Sequence, residues 1–263
     1  MTRVGFVGAG RMGAPMVRRL VESGHEVLAL ARSDDKSAAI RDLGAQPVAS
    51  VPEAADADVV IVCVFTDEQV QQICLHDGLA AAMRPGAALV IHTTGSPRTA
   101  QSVAAQCPQS DVVDAPVSGG PHNIAAGELT LFIGGPDEAV ARVEPVLSAY
   151  GDPILHVGAL GSGQAVKLVN NALFAAQIGL LQEAVTLGAS LGVDEGELLA
   201  SVTRGSGASR VGEFIAGRGS VQGFVGDVGE FIGKDVAVVR KVAAELGNDL
   251  GLLDDVINAG IRL

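Results

Sequence analysis

Short apolar runs alternate with amphipathic stretches through roughly the first 160 residues, a pattern that predicts strands interleaved with helices. The expected strands are Arg3–Val7, Glu26–Ala31, Asp58–Val64, Ala88–His92, Asp111–Val117, Leu129–Ile133 and Pro153–Val157. Continuous β-branched runs such as DVVIVCV suit strands buried on both faces of a parallel sheet. Gly, Pro and Asp turn signals separate them. Strands alternating with helices imply right-handed βαβ units and a doubly wound sheet.

After Gly163 the strand signals stop, and three or four helical segments are expected. The first runs from Gly163 to Leu191, roughly 40 Å at 1.5 Å per residue. That is long for a globular helix, and it is expected to connect two domains. Asn170, Asn171, Gln177, Gln182 and Glu183 interrupt its apolar character, so it reads as a buried helix and not as a membrane span. The others are placed at Asp194–Thr203, Val225–Leu246 and Gly251–Ala259, with Thr203–Gly223, rich in Gly, Ser and Arg, as a mobile connection. The expected organisation is an α/β domain over 1–160 followed by an all-α domain over 161–263.

Composition narrows the possible functions. With no Trp and one Tyr among 263 residues, the core must be built from Ala, Val, Leu and Ile, and the scarcity of aromatics argues against stacking platforms for single-stranded nucleic acid. A formal net charge of −12 likewise disfavours a phosphate-backbone partner. Cys63, Cys74 and Cys107 lack metal-ligand spacing, and an odd number makes a poor disulfide framework, so reduced, mostly buried thiols and no metal are expected. The chain enters a strand almost at once without a signal-peptide pattern, which makes a cytoplasmic location and no membrane partner the default expectation.

The segment VGFVGAGRMGAPM places Gly8, Gly10 and Gly13 as G-x-G-x-x-G after a strand and at the start of a helix. In that context the first glycine makes the tight turn, the second admits a pyrophosphate and the third allows close helix–strand packing. The helix N-terminus then offers N–H groups and a positive dipole end to the phosphates. An NAD site usually places an acid after the second strand to bind the ribose hydroxyls. Here EVLALA is followed by Arg32 and Ser33, with Lys36 one turn on. Arg32 suits bidentate bonding to a 2′-phosphate, with Ser33 as a further donor, which favours NADP over NAD. Alternatively, Ser33 caps the next helix while Asp34 and Asp35 complement its dipole, and an acidic ribose ligand at Asp34 would favour NAD.

Farther on, GALGSGQAVKLVNNALFAAQ places Lys167, Asn170, Asn171 and Phe174 on one helix face. Partial burial of that face would suit Lys167 to acid–base work. The other reading is an exposed face with an ordinary solvated lysine. This helix alone leaves both open.

The ordered motifs resemble those of the β-hydroxyacid dehydrogenase family, which includes 3-hydroxyisobutyrate dehydrogenases and glyoxylate/succinic semialdehyde reductases and is related to 6-phosphogluconate dehydrogenase. Five segments carry the resemblance over nearly the whole chain: VGFVGAGRMGAPM, HTTGSP, DAPVSGGPHNIAAGELTLFIGG, GSGQAVKLVNN and Gly233-Lys234-Asp235. It implies a Rossmann-type, doubly wound nucleotide-binding domain followed by a helical C-terminal domain that forms a homodimer or homotetramer, with the site between them. It gives Lys167 the catalytic role, and makes Ser118, Gly119, Gly120 and Asn171 contacts to a small carboxylate or aldehyde-acid substrate. The expected cofactor contacts become Gly8, Gly10, Arg11, Met12, Gly13, Arg32, Ser33, Lys36, Val64, Phe65, Thr94 and Lys234. Pro121-His122-Asn123 departs from the family's small, glycine-containing stretch, so His122 is either a substrate contact or a solvent-facing turn residue. The sequence ends with INAGIRL, short of the family's usual last helix. The resulting expectation is hydride transfer between nicotinamide and a small β-hydroxy acid or aldehyde acid. Alternatives are an imine reductase of the same architecture, which typically has another residue in place of the lysine, and a non-catalytic NADP-binding scaffold.

Overall fold

The structure is a computed structural model that describes residues 1–260. The chain divides into two compact units, Met1–Lys167 and Leu168–Leu263, and the division falls inside helix Ser162–Ser190. The last three residues of INAGIRL lie outside the described residues.

The first unit is built on a nine-stranded sheet: β1 Arg3–Val7, β2 Glu26–Leu30, β3 Gln46–Val48, β4 Val59–Val62, β5 Ala88–Ile91, β6 Asp111–Asp114, β7 Val117–Ser118, β8 Leu129–Gly134 and β9 Gly151–Gly158. The order is β3-β2-β1-β4-β5-β6-β8-β7, with β9 added on β8. From β3 to β6 all neighbours are parallel, whereas β8 runs antiparallel to β6 and β7. Residues alternate between the faces, as a strand's period of two requires. Val4, Phe6, Val59 and Ile61 pack on one side, and Val7, Val60, Val62 and Leu89 on the other. Both faces are therefore buried, and a crevice opens where the order reverses, at the carboxyl ends of β1 and β4.

Two differences from the expected strands have local causes. Asp111–Val117 is two strands, because Pro116 lacks the N–H a ladder needs. The short edge strand β3 was not anticipated. Three residues are too few to show alternation, and the edge tolerates its Pro47.

Beneath the sheet's carboxyl ends lies a buried pair. His92 Nδ1 donates to the Ala115 carbonyl at 2.6 Å, and Nε2 accepts the hydroxyl of Tyr150 at 2.7 Å. A carbonyl only accepts, which fixes the tautomer. Complete burial lowers the His92 pKa to about 4, so the ring is neutral.

The second unit is helical: the remainder of Ser162–Ser190, then Glu195–Val202, Arg210–Arg218, Val221–Glu245 and Leu252–Gly260. Arg210–Arg218 replaces the mobile connection expected there. Ser209 caps it by accepting the Gly212 N–H at 3.0 Å, and Val211 and Ile215 are buried. By length and composition alone, the long helix is apolar enough to cross a membrane. Here it is a core helix that buries Ala175, Ala176, Ile178 and Leu181. It is not buried all round as expected, because Val169, Leu173, Leu180 and Leu187 stand exposed.

Candidate active site

The crevice begins at the glycine turn. Gly8 has φ 105°, and a Cβ there would lie 2.1 Å from the Cys63 carbonyl oxygen, so conformation and space both require glycine. A Cβ on Gly13 would strike the Gly8 carbonyl oxygen at 2.1 Å. Gly10 differs, since nothing lies within 4 Å of its would-be Cβ. Its smallness serves something that approaches from outside. Helix Gly13–Glu22 follows, and among the described residues no side chain caps it and no acid lies in its first turn. Ala14 gives its N–H to the Gly10 carbonyl at 2.9 Å and Pro15 has none, so what this start offers is its positive dipole end, left without an acid as an anion site favours. These features fit a dinucleotide's pyrophosphate.

The crevice is lined by Gly8, Gly10, Leu30, Arg32, Lys36 and Val64, among others. Two cations therefore share it with the glycine turn. Ser33 caps helix Asp34–Asp42, its Oγ accepting the Lys36 N–H at 3.3 Å, and Asp34 and Asp35 occupy that helix's first turn. Neither acid lines the crevice.

Two loops complete this side. After β4, Gln69 Oε1 accepts the Phe65 N–H at 2.8 Å and the Thr66 N–H at 3.2 Å, so the ring of Phe65 is presented outward from a braced turn. After β5, Thr93 Oγ1 accepts the Val64 N–H at 2.9 Å and donates to the Val64 carbonyl at 3.0 Å. The buried Asp67 accepts the Ser96 N–H at 3.2 Å and the Thr99 hydroxyl at 2.7 Å. Burial pushes its carboxyl pKa up, against these hydrogen bonds. Thr94 sits between the anchored residues and is itself buried.

Ser118 ends β7, and Gly119 follows with φ 134°, leading into helix Pro121–Ala126. The Gly120 N–H is donated to Asn123 Oδ1 at 2.9 Å. Gly120, expected as a substrate contact, thus gives its N–H to the loop's own support. His122 is exposed, and its ring lies beside Gly120.

Lys167 stands in the second turn of helix Ser162–Ser190 and is 8% exposed. The solvated-lysine reading is thereby removed. Around the helix start, the buried Asp114 accepts the Gly161 and Gln164 N–H groups, each at 2.6 Å, and Gln164 reaches the loop after β5. Burial raises the Asp114 pKa, opposed by these backbone donors. In the second unit, Asn171 is buried and donates to Asp235 Oδ2 at 2.5 Å, while Lys234 Nζ lies 2.9 Å from Asp235 Oδ1.

Comparison with known proteins agrees with this geometry. Residues 3–158 match the model of the NAD binding domain of 6-phosphogluconate dehydrogenase. Residues 161–259 match that described as NAD-binding of NADP-dependent 3-hydroxyisobutyrate dehydrogenase. A probable 3-hydroxyisobutyrate dehydrogenase from Mycobacterium bovis is 38% identical over 79% of this chain and 71% of its own. The chain belongs to the β-hydroxyacid dehydrogenase family.

Within that family, a 2-(hydroxymethyl)glutarate dehydrogenase from Eubacterium barkeri is 32% identical over 79% of this chain and 70% of its own. A solved structure of Mycobacterium tuberculosis 3-hydroxyisobutyrate dehydrogenase with L-serine superposes with a TM-score of 0.88 at 30% identity, covering 98% of this chain and 92% of that one. The family makes the chain an oxidoreductase with a nicotinamide cofactor, on a Rossmann-type sheet followed by a helical C-terminal region.

Of the expected cofactor contacts, the crevice gathers Gly8, Gly10, Arg32, Lys36 and Val64. Arg11, Met12, Gly13, Ser33, Phe65 and Thr94 flank the same strand ends without lining it, and Lys234 belongs to the second unit. Sequence reasoning passed over Asp67, Asp114, Gln164 and Gln69. Asp114 carried a usable signal, since an acid closing the apolar run DVVD demands buried partners. Among the described residues, no group of three His, Cys, Asp or Glu is arranged to hold a metal.

Proposed function

We propose that this β-hydroxyacid dehydrogenase is an NADP-preferring enzyme that interconverts a small β-hydroxy acid and its aldehyde acid, with Lys167 as the proton-transfer group. The observation that carries the reading is the buried Lys167, with the equally buried Asn171 one turn along the same helix face. A buried lysine beside a buried amide on one helix face suits acid–base work on a small polar substrate.

The compounds named for the relatives support a substrate class. 3-Hydroxyisobutyrate, 2-(hydroxymethyl)glutarate and L-serine share one skeleton, a primary alcohol on the carbon next to that bearing the carboxylate, and differ in the substituent there. The proposed substrate has this skeleton. A bound nicotinamide supplies or accepts the hydride. In reduction, the Lys167 ammonium donates a proton to the oxygen as it gains negative charge. In oxidation, the neutral amine takes the hydroxyl proton. Ser118 Oγ donates to the substrate carboxylate. With the Gly120 N–H held by Asn123, Gly119 is the proposed main-chain partner. Asn171 is proposed as a substrate contact, His122 as a contact to the variable substituent and Lys234 as a cofactor group.

NADP preference is supported by Arg32 and Lys36 lining the crevice while Asp34 and Asp35 serve a helix start. Homodimer or homotetramer formation is supported by the exposed Val169, Leu173, Leu180 and Leu187, whose spacing forms an apolar seam. A cytoplasmic location is proposed with Cys63, Cys74 and Cys107 as free thiols, the state a reducing compartment maintains.

The direct test is NADPH consumption with glyoxylate, succinic semialdehyde, methylmalonate semialdehyde, tartronate semialdehyde and cyclic imines. Turnover of methylmalonate or tartronate semialdehyde, which carry this skeleton, is expected, and turnover of glyoxylate or succinic semialdehyde alone would overturn the proposed substrate class. Bound NADPH with no turnover of any aldehyde acid would remove the assignment, and turnover of imines alone would redirect it to imine reduction.

A further inference from the structure

We propose that Asp114 and Gln164 are positioning residues for Lys167, fixing the start of helix Ser162–Ser190 against the loop after β5. The inference rests on the proton-transfer role given to Lys167 above.

Asp114 is completely buried, and a carboxylate persists at such depth only among donors. Oδ1 accepts the Gly161 N–H and Oδ2 the Gln164 N–H, each at 2.6 Å. With both oxygens turned to N–H donors, the group holds these contacts as a carboxylate. It occupies a helix start, where main-chain N–H groups lack partners and negative charge is favoured. The cage around it has no slack. A Cβ on Gly134 would come within 2.4 Å of Oδ1, and one on Gly163 within 2.8 Å of Oδ2.

Gln164 is 1% exposed and uses both ends of its amide. Oε1 accepts the Gly95 N–H at 2.9 Å, and Nε2 donates to the Thr93 carbonyl at 2.8 Å. Thr93 is itself bonded to Val64 at the end of β4, and Asp67 holds the far side of the loop at Ser96. One continuous series of bonds therefore runs from the ends of β4, β5 and β6 into the helix. Gln164 and Lys167 are three residues apart on one helix face, so the grip on Gln164 sets where the lysine stands. A leucine or methionine would fill the same space, and only an amide meets both main-chain groups of that loop.

The test is Gln164→Met, which keeps length and bulk and removes both bonds. In the cofactor-free chain, reductive methylation of Lys167, read by peptide mass spectrometry, should run at least about fivefold faster than in the parent, with Lys36 as the unchanged reference. In the assay with NADPH and the aldehyde acid the parent reduces, kcat should fall about 10- to 100-fold while the KM for NADPH stays within about threefold. Gln164→Glu keeps the acceptor for Gly95 and should recover part of both effects. Asp114→Asn should reproduce the pattern, and if it fails to fold the Gln164 variants decide. Methylation and kcat both within about twofold of the parent in Gln164→Met would overturn the positioning role. Lys167→Ala in the same assay separates the two ideas. If it keeps turnover, the proton-transfer reading falls. If it is inactive while Gln164→Met behaves as the parent, only the positioning role falls.

Discussion

Two helices of the first unit begin beside the carboxyl ends of parallel strands, and their starts are treated in opposite ways. Helix Gly13–Glu22 opens without a side-chain cap and without an acid in its first turn. Helix Ser162–Ser190 opens on Asp114, a carboxylate brought from the end of β6 to meet its N–H groups. The local geometry is alike, and the occupant differs. An open start with a bare glycine before it is a receptor for someone else's negative charge. A start filled by the protein's own carboxylate binds no anion and becomes a fixed mount, here for the helix that carries Lys167. The difference teaches that a helix N-terminus signals a binding site only when the fold leaves it unsatisfied.

Experiments on the two ends sharpen or break this contrast. The largest effect is expected at the mount, where Lys167→Ala should lower kcat roughly a thousandfold with NADPH affinity nearly unchanged. Retained kcat would leave the fixed end without a purpose. Next, Gly10→Asp introduces an acid at the open end, where nothing lies within 4 Å of the new Cβ. The variant should fold with an unchanged melting temperature, yet NADPH affinity should fall about a hundredfold by fluorescence titration, because the acid competes for the anion site. Unaltered affinity would mean the open end is not where phosphate binds. Arg32→Ala should raise the KM for NADPH about tenfold and that for NADH by less than about twofold. Equal effects would remove the 2′-phosphate assignment.

A smaller effect concerns acid. His92 bonds the Ala115 carbonyl, the residue after Asp114, and is neutral in the fold with a pKa of about 4 against an ordinary 6.5. The unfolded chain therefore binds a proton there that the folded chain refuses. Stability is lost as pH falls from about 6.5 towards 4 and levels off below, with about 2 kcal/mol lost between pH 7 and 5. Asp67 and Asp114 have raised values and act in the opposite sense, with stability lost as pH rises through their folded values. Urea midpoints at the two pH values, compared between the parent and His92→Gln, isolate the histidine. The same pH slope in both would refute its role.

How much of this was legible depends on how far apart the partners lie. The open end is a local word, since G-x-G-x-x-G and the strand before it sit within ten residues, and periodicity alone placed most of the sheet. The family resemblance likewise pointed to Lys167. The filled end is non-local. Asp114 acquires its meaning only from Gly161 and Gln164, about fifty positions later, and nothing near it in the chain announces them. Helix Arg210–Arg218 was hidden for another reason. Its Gly212 and Gly217 and the glycines around it lower helix propensity, and the Ser209 cap and burial of Val211 and Ile215 prevail over that deficit. The exposed row on the long helix was equally invisible, because apolar residues on all sides of a sequence read as a helix buried on all sides.

The Tyr150–His92 pair has a practical consequence. With no tryptophan and one tyrosine in the chain, ultraviolet emission comes almost entirely from a single ring, buried in the first unit and hydrogen bonded to an imidazole. The second unit is nearly dark at those wavelengths. Tyrosine emission followed beside far-ultraviolet circular dichroism therefore gives an optical probe confined to the sheet and one dominated by the helices. Whether the two halves melt together or in sequence can be read without attaching a label.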